Sequence, residues 1–295
     1  MGSTLDKLHT KGLIPDVPPF LINAVCYEVV MGSVAYGVSN NYSDVDVYGF
    51  SVPPKNILLP FEHEYVYGFD TNYPKFEQYS QHHIEDKSTQ KEYDLTIYNI
   101  CKYFRLVADN NPNMVDSLFV PQNCVLHSNN VGSLVRENRH IFLHKGCWHK
   151  FKGYAYSQLK KLKVKNPEGK RKEMVDKYGF DVKFAYHVVR LMLEVEQMLA
   201  EQDLDLQRNK EQLRAIREGR WSLKQIEDFF EVKEKGLESL YRDSKLPHSP
   251  DETEIRNLLI KCINTYFCDT VLTPSEDSYK KVVDKIKIYL SEVGL

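Results

Sequence analysis

The chain has 295 residues, enough for one large or two ordinary domains with a sizeable core. Its 42% hydrophobic and 27% charged content suits a soluble globular protein, and a formal net charge of −2 excludes a surface that binds polyanions everywhere. No apolar run approaches the ~20 residues of a membrane-crossing helix. The N-terminal MGSTLDKLHTKGLIPD lacks the apolar core of a signal peptide, and the six cysteines form no CxxC pair. A cytoplasmic protein with reduced thiols, no disulfide frame and no zinc ribbon is expected.

In chain order, LINAVCYEVVM (21–31) turns into a β-branched run, YEVVM, that reads as a buried strand. Gly32 and Ser33 end it, and residues 34–38 read as the first turn of a short helix or as a tight loop. After the turn-rich SNNYS, the segment DVDVYGFSV alternates polar and apolar residues, the period of a half-buried strand. Pro53, Pro54 and Pro60 interrupt the chain beyond it, and 61–92 reads as short strands within an irregular excursion. EYDLTIYNI (92–100) is a strand by propensity, CKYFRLVAD (101–109) a helix, NNPN a turn or helix restart, and MVDSLFV (114–120) a compact apolar segment.

The second half changes character. GYAYSQLKKL (153–162) reads as a helix and KVKNPEGKRKEMVDKYG as a charged connection. Residues 181–202 carry Ala185, Val188, Met192, Val195 and Leu199 at three- and four-residue steps, the clearest amphipathic helix in the chain. EQLRAIREG and SLKQIEDFFEVKEKGLESLYRD continue as helices. Ser249-Pro250-Asp251-Glu252 and Thr273-Pro274-Ser275-Glu276 read as two further helix starts, each with a hydroxyl N-cap, Pro at the first helical position and Glu at the third. The expected architecture is α+β: a small mixed sheet in residues 1–147, then an α-helical domain in 148–295, with a linker near 145–152.

Residues 31–50 carry the chemistry. Asp44 and Asp46 are i and i+2 on a strand, so both side chains leave the same face about 6.5–7 Å apart. Such a pair can grip one or two divalent cations, and two cations stabilise both the attacking and the leaving oxygen of a displacement at phosphorus. Mg²⁺ takes a couple of carboxylates and completes its shell with substrate phosphates. Gly32 lets a backbone approach a triphosphate closely, while Ser33 offers a hydroxyl and an N–H at a helix start.

A strand ending in Gly-Ser, a short gap and a second strand bearing DxD resembles the signature of the DNA polymerase β-like nucleotidyltransferase superfamily. The fuller GSVAYG…SDVDVYGF resembles its RNA-ligase-associated branch. EYDLTIYNICKYFRLVADNNPNMVDSLF, KGYAYSQLKKL, DVKFAYHVVRL and LRAIREG extend the likeness over roughly residues 24–225. The resemblance implies a polymerase β-like catalytic domain. Gly32 and Ser33, with Ser43 nearby, would hold the phosphates of a nucleoside triphosphate, and Asp44 and Asp46 would bind Mg²⁺ or Mn²⁺, two ions in all. A third carboxylate would activate the attacking hydroxyl, with Asp94 the first choice and Glu92 its competitor.

On the long helix, Lys183, His187, Arg190 and Glu194 form one stripe. Such a stripe is either the solvated side of the helix or, as the resemblance implies, a cleft wall on which Lys183, His187 and Arg190 neutralise triphosphate oxygens. Asp181 is a candidate helix cap. Asn110 and Asn111 are candidates for capping or for base and sugar contacts, and Lys152 and Tyr154 are candidates for the cleft border. The basic cluster Lys163, Lys165, Lys170, Arg171 and Lys172 is either a solvated charge run or a track for an RNA backbone. Beyond the adjacent pair His82 and His83 and the four-residue step from His140 to His144, the ten histidines show no ligand spacing, and no zinc is assigned.

The function expected is Mg²⁺-dependent transfer of a nucleoside monophosphate from a nucleoside triphosphate to an acceptor hydroxyl, with an RNA end as acceptor. The alternatives are nucleotidylation of a protein or small molecule, and a non-catalytic nucleotide- or RNA-binding module.

Overall fold

The computed structural model describes residues 2–39, 44–58, 76–162 and 169–272. The elements, in order, are α1 (Thr4–Thr10), β1 (Val25–Val30), α2 (Gly32–Ala35), β2 (Val45–Ser51), α3 (Lys55–Leu58), β3 (Gln78–Asp86), β4 (Lys91–Asn99), α4 (Ile100–Ala108), α5 (Pro112–Phe119), β5 (Val125–Ser128) and α6 (Asn130–Glu137). The remaining elements are all helices: α7 (Gly146–Lys161), α8 (Gly169–Tyr178), α9 (Val182–Glu201), α10 (Lys210–Arg217), α11 (Leu223–Asp243) and α12 (Glu252–Leu272). The architecture is α+β.

The five strands lie in the order β3-β4-β2-β1-β5. β1 pairs antiparallel with β2 and β5, β3 pairs antiparallel with β4, and β2 pairs parallel with β4. The mixed sheet puts the DVDVYGF strand in the centre, where its alternate residues face two different cores. Val47, Leu95 and Ile97 point to the back, where Leu5, Leu8, Ile14 and Leu21 cover them. Phe50 points to the front with Tyr103, its ring centroid 4.8 Å away, in a larger apolar cluster that runs from β1 through α12. A β-strand with two buried faces needs one helix layer on each side, and α1 supplies the back one. Its first N–H groups, from Thr4 and Leu5, both donate to the fully buried Glu28 carboxylate on β1. An anion at a helix N-terminus satisfies donors that have no partner within the helix.

α9 is buried almost all round, as expected of a helix at the centre of a bundle. It packs against α7, α8, α10 and α11. Asp181 caps it, accepting from the N–H groups of Lys183 (2.9 Å) and Phe184 (3.2 Å).

Several expectations need correction. The charged connection contains helix α8: Lys, Arg, Glu and Met are good helix formers, but only Met174 and Tyr178 touch the core, so no apolar stripe marks it. α7 starts at Gly146 and not at 153, because Cys147, Trp148, Phe151 and Ala155 already bury one face. Residues 146–152, expected as a linker, therefore lie inside a helix. The described part of the 61–92 excursion holds the nine-residue strand β3. The cap of α12 is Asp251 and not Ser249, since its carboxylate accepts from the N–H groups of Thr253 (2.9 Å) and Glu254 (3.0 Å). Ser43, Lys163, Lys165, the helix start at Thr273 and the side chains of Lys170 and Arg171 lie outside the described residues. Lys172 is exposed on α8.

Candidate active site

The parallel register of β2 and β4 sets Asp46 directly beside Asp94, on the front face of the sheet. Adjacent strands lie about 4.8 Å apart, so the two carboxylates are neighbours. Asp44 is exposed one residue before β2 begins. Glu92 sits two residues from Asp94 and shares a close hydrogen bond with His83 Nδ1, so it is engaged away from Asp46.

The turn after β1 reaches this pair by a short route. The Met31 N–H donates to the Asp46 carbonyl at 2.7 Å, extending the β1–β2 ladder by one bond. The next residue, Gly32, has φ +62° and lies against the Asp46 side chain; a Cβ there would come within 2.0 Å of Asp46 Oδ2. Only glycine satisfies both the left-handed backbone and the close approach. The turn then closes through the Val38 N–H to the Ser33 carbonyl at 2.9 Å. Gly32, Ser33, Asp46 and Asp94 thus come together.

A bulge completes the acid side of the site. The register of β3 against β4 slips between Gln81 and Ile84, and His83 adopts φ +56°. The slip aims the His83 N–H at Asp94 Oδ1 (2.8 Å) and leaves His82 Nδ1 3.5 Å from Asp94 Oδ2. Bulges of this kind commonly re-aim side chains beside active sites.

The electrostatics arise from crowded acids. Burial, then the Asp94 and Asp44 charges, push the Asp46 carboxyl above its ordinary range, while Lys183 and His82 pull it partly back. Lys183, exposed in the first turn of α9, is therefore the helix cation that acts on the acids. Burial, with Tyr98, Asp46, Tyr154 and Asp94 adding to it, pushes the Tyr48 phenol up to about 12. Tyr48 and Tyr98 meet edge to face at 6.3 Å, and Tyr154 on α7 is half exposed nearby. Tyr48 lies next to the acids, and Tyr98 and Tyr154 lie next to Tyr48.

Other expected site residues lie elsewhere. Arg190 is 4% exposed and turned inward: its guanidinium donates to Asp116 (2.5 Å) and Glu194 (2.9 Å) and stacks on the Tyr36 ring at 4.2 Å. The Lys183–Glu194 stripe runs from solvent into the core, where Arg190 Nη1 is engaged by Asp116 and Glu194. His187 is half buried, its ring 4.8 Å from that of Tyr186. Lys152 points at α11, pairing with Glu234 (2.6 Å) and lying over Trp148, and does not border the cleft. Asn111 caps α5, and Asn110 is a buried residue with φ +50° at the end of α4. Sequence reasoning missed Asp116, whose partners lie 80 and 74 residues away. It also gave no role to Tyr36, Tyr48, His82, Arg214 or Arg217; GSVAYG and LRAIREG contain three of these.

The residues present fit a divalent cation. Asp46 and Asp94 stand side by side on β2 and β4, with Asp44 just before β2, and burial makes the Asp46 charge costly without a counterion. Among the described residues no three acid, histidine or cysteine side chains close a cage around a metal by themselves. Hard cations such as Mg²⁺ need no such cage when a substrate phosphate supplies the remaining oxygens.

Residues 5–260 match the family described as RlaP, RNA repair pathway DNA polymerase beta family. Over 137 residues the chain is 30% identical to an uncharacterized 38.9 kDa protein of the nrdC-mobD intergenic region of Enterobacteria phage T4. That match spans 45% of this chain and 37% of the phage protein. A crystal structure of a nucleotidyltransferase-like protein from Exiguobacterium sibiricum aligns with 91% of this chain and 76% of its own, at 10% identity and a TM-score of 0.30, a likeness too loose to carry an argument. Among the described residues no helix is long and apolar enough to cross a membrane. The family match covers most of the chain, both the sheet with its paired aspartates and the helices behind it, and the chain belongs to the RlaP family, the RNA repair pathway DNA polymerase beta family.

Proposed function

We propose that the protein transfers a nucleoside monophosphate from a nucleoside triphosphate to an acceptor hydroxyl, releasing pyrophosphate, with an RNA end as the acceptor. The observation that carries this reading is the close approach of Gly32 to Asp46, which sits in register with Asp94. A phosphate chain resting on the Gly32–Ser33 turn would lie against two adjacent carboxylates. Mg²⁺ or Mn²⁺ held by Asp44, Asp46 and Asp94 would neutralise charge on the triphosphate and on the departing pyrophosphate.

The chain's own residues do the rest. Ser33 donates its hydroxyl and N–H to phosphate oxygens, and the exposed Lys183 draws the triphosphate into the cleft. Asp94, oriented by the His83 N–H, accepts the proton of the acceptor hydroxyl. The new bond joins the acceptor oxygen to the α-phosphorus, and the bond from that phosphorus to the β-phosphate bridging oxygen breaks. Tyr48, Tyr98 and Tyr154 offer stacking faces for a base beside the reacting centre. The RNA acceptor rests on the family description alone.

The test is incubation with each α-labelled triphosphate, Mg²⁺ or Mn²⁺, and RNA with a free 3′ hydroxyl, a protein mixture or no acceptor. Label on RNA supports the proposal, and label on protein moves the acceptor. Asp94→Asn should stop turnover and spare triphosphate binding. If Glu92→Gln does so instead, the proton acceptor is Glu92.

A further inference from the structure

We propose that Tyr36, Asp116 and Arg190 are positioning residues for the phosphate-binding turn, forming a buried chain of contacts that fixes Gly32–Ser33 against α9. The proposal rests on the reading of that turn as the triphosphate site.

Tyr36 ends the turn, three residues after Ser33, and is 2% exposed. Its hydroxyl donates to Asp116 Oδ2 at 2.6 Å. The same oxygen accepts from Arg190 at 2.5 Å, and the Arg190 guanidinium lies over the Tyr36 ring at 4.2 Å. Arg190 therefore holds Tyr36 twice, by the face of its ring and through the partner of its hydroxyl. Glu194, one helical turn further along α9, accepts from Arg190 at 2.9 Å and fixes the guanidinium plane.

The backbone leaving the turn is gripped from a third direction. Gln207 Nε2 donates to the Ala35 carbonyl (3.1 Å), Arg214 to the Gly37 carbonyl (2.9 Å) and Arg217 to the Val38 carbonyl (2.8 Å). Arg217 also lies over the Tyr186 ring at 5.7 Å, and Tyr186 packs edge to face on Tyr36 at 6.3 Å. Four successive residues, 35–38, are thus each tied to the segment running from α9 through α10, either directly or through Asp116.

Stability alone gives weak reason for such a cluster. Two carboxylates and a guanidinium, each under 5% exposed, are costly to desolvate. An apolar set of the same volume is often as stable or more so. A hydrogen-bonded chain does what apolar packing cannot: it fixes the rotation and register of the turn whose N–H groups must meet phosphate oxygens. The helical half of the molecule then contributes to triphosphate binding without touching the triphosphate, except at Lys183.

The test uses the full chain and two readouts: titration with a non-hydrolysable triphosphate analogue plus Mg²⁺, and hydrogen exchange of the amides of residues 32–38 without ligand. Tyr36→Phe keeps the ring and removes the hydroxyl; Arg214→Gln loosens the backbone grip and serves if the first variant folds poorly. Each should weaken analogue binding about tenfold, the worth of one hydrogen bond to a charged group, and speed exchange in 32–38 while other segments keep their protection. Lys233→Ala, which breaks a pair with Glu196 on the far side of α9, should change neither. Unaltered affinity and exchange in both variants overturn the proposal. Weaker binding with unaltered exchange also overturns it, because Tyr36 would then be a ligand contact. If the unmodified chain binds no analogue, the triphosphate reading itself falls and the positioning role falls with it.

Discussion

Two acid clusters stand on the two sides of the Gly32–Val38 turn, and they are solved differently. Asp116 and Glu194 share the guanidinium of Arg190 and lie wholly inside the protein. Asp44, Asp46 and Asp94 lie close together around the start of the central strand β2, and their cations, Lys183 and His82, are solvent-exposed side chains. Burial raises the carboxyls of Asp116 and Glu194 inside and of Asp46 outside, but the inner cluster has the Arg190 guanidinium in hydrogen-bond contact, whereas Lys183 and His82 act on Asp46 from the solvent side. An acid group that shares a buried guanidinium can hold a neighbouring turn in place. One left short of positive charge, beside a turn where a side chain would clash, is poised to take a cation and an anionic substrate together.

The largest effect should come from breaking the inner cluster. Arg190→Ala leaves two buried carboxyls facing each other and should cost about 3–5 kcal/mol of stability in denaturant unfolding. A smaller loss would mean that solvent reaches the cluster.

Breaking the outer cluster should do the opposite to stability. Asp46→Asn should abolish label transfer, yet the metal-free variant should unfold at a temperature no lower than the unsubstituted chain at neutral pH. The sign comes from linkage. The Asp46 carboxyl titrates higher when folded than its ordinary 3.8, so the unfolded chain holds its proton less well. Metal-free stability therefore falls as pH rises from 3.8 through the raised folded value, and stays lower above it. The advantage of the Asn variant should appear across that window and vanish below it. Mg²⁺ should raise the unfolding temperature of the unsubstituted chain and leave Asp46→Asn unchanged.

Lys183→Ala sharpens the contrast from the cationic side. Removing an exposed lysine should leave stability within about 0.5 kcal/mol and raise the apparent KM for triphosphate several-fold. Unaltered kinetics would return Lys183 to the solvated surface. The smallest effect belongs to Lys152→Ala, whose partners Glu234 and Glu238 lie on α11. Surface pairs are worth about 0–1 kcal/mol, and steady-state transfer should be unchanged.

The outer cluster was legible in the sequence and the inner one was not, for a physical reason. A strand's period of two pointed to Asp46, although β2 begins only at Val45 and leaves Asp44 just outside it, and a glycine before the pair marks a close approach. Asp94 needed the family resemblance, because parallel pairing with β2 joins residues 48 apart. The stripe on α9 was read as a solvated side or a cleft wall, but periodicity does not say that the face dips into the core between Lys183 and Arg190. Asp116 gave no signal, since a buried acid is recognisable only beside its distant arginine. β3 was hidden by its own bulge, where His82 and His83 interrupt the alternation, and α8 by its lack of an apolar stripe. Asp116 was hidden by a long-range pairing and β3 and α8 by weak patterning, whereas the Gly32 approach and the Asp46 position rest on local geometry.

The central claim is that the outer acids and the Gly32–Ser33 turn together handle a triphosphate. Pyrophosphate release, monitored with α-labelled triphosphate, Mg²⁺ and RNA bearing a free 3′ hydroxyl, tests it most directly. The account predicts pyrophosphate release matched by label on RNA for the unsubstituted chain, and neither for Asp46→Asn. Equal release by the two proteins, or labelled RNA from Asp46→Asn, would contradict it.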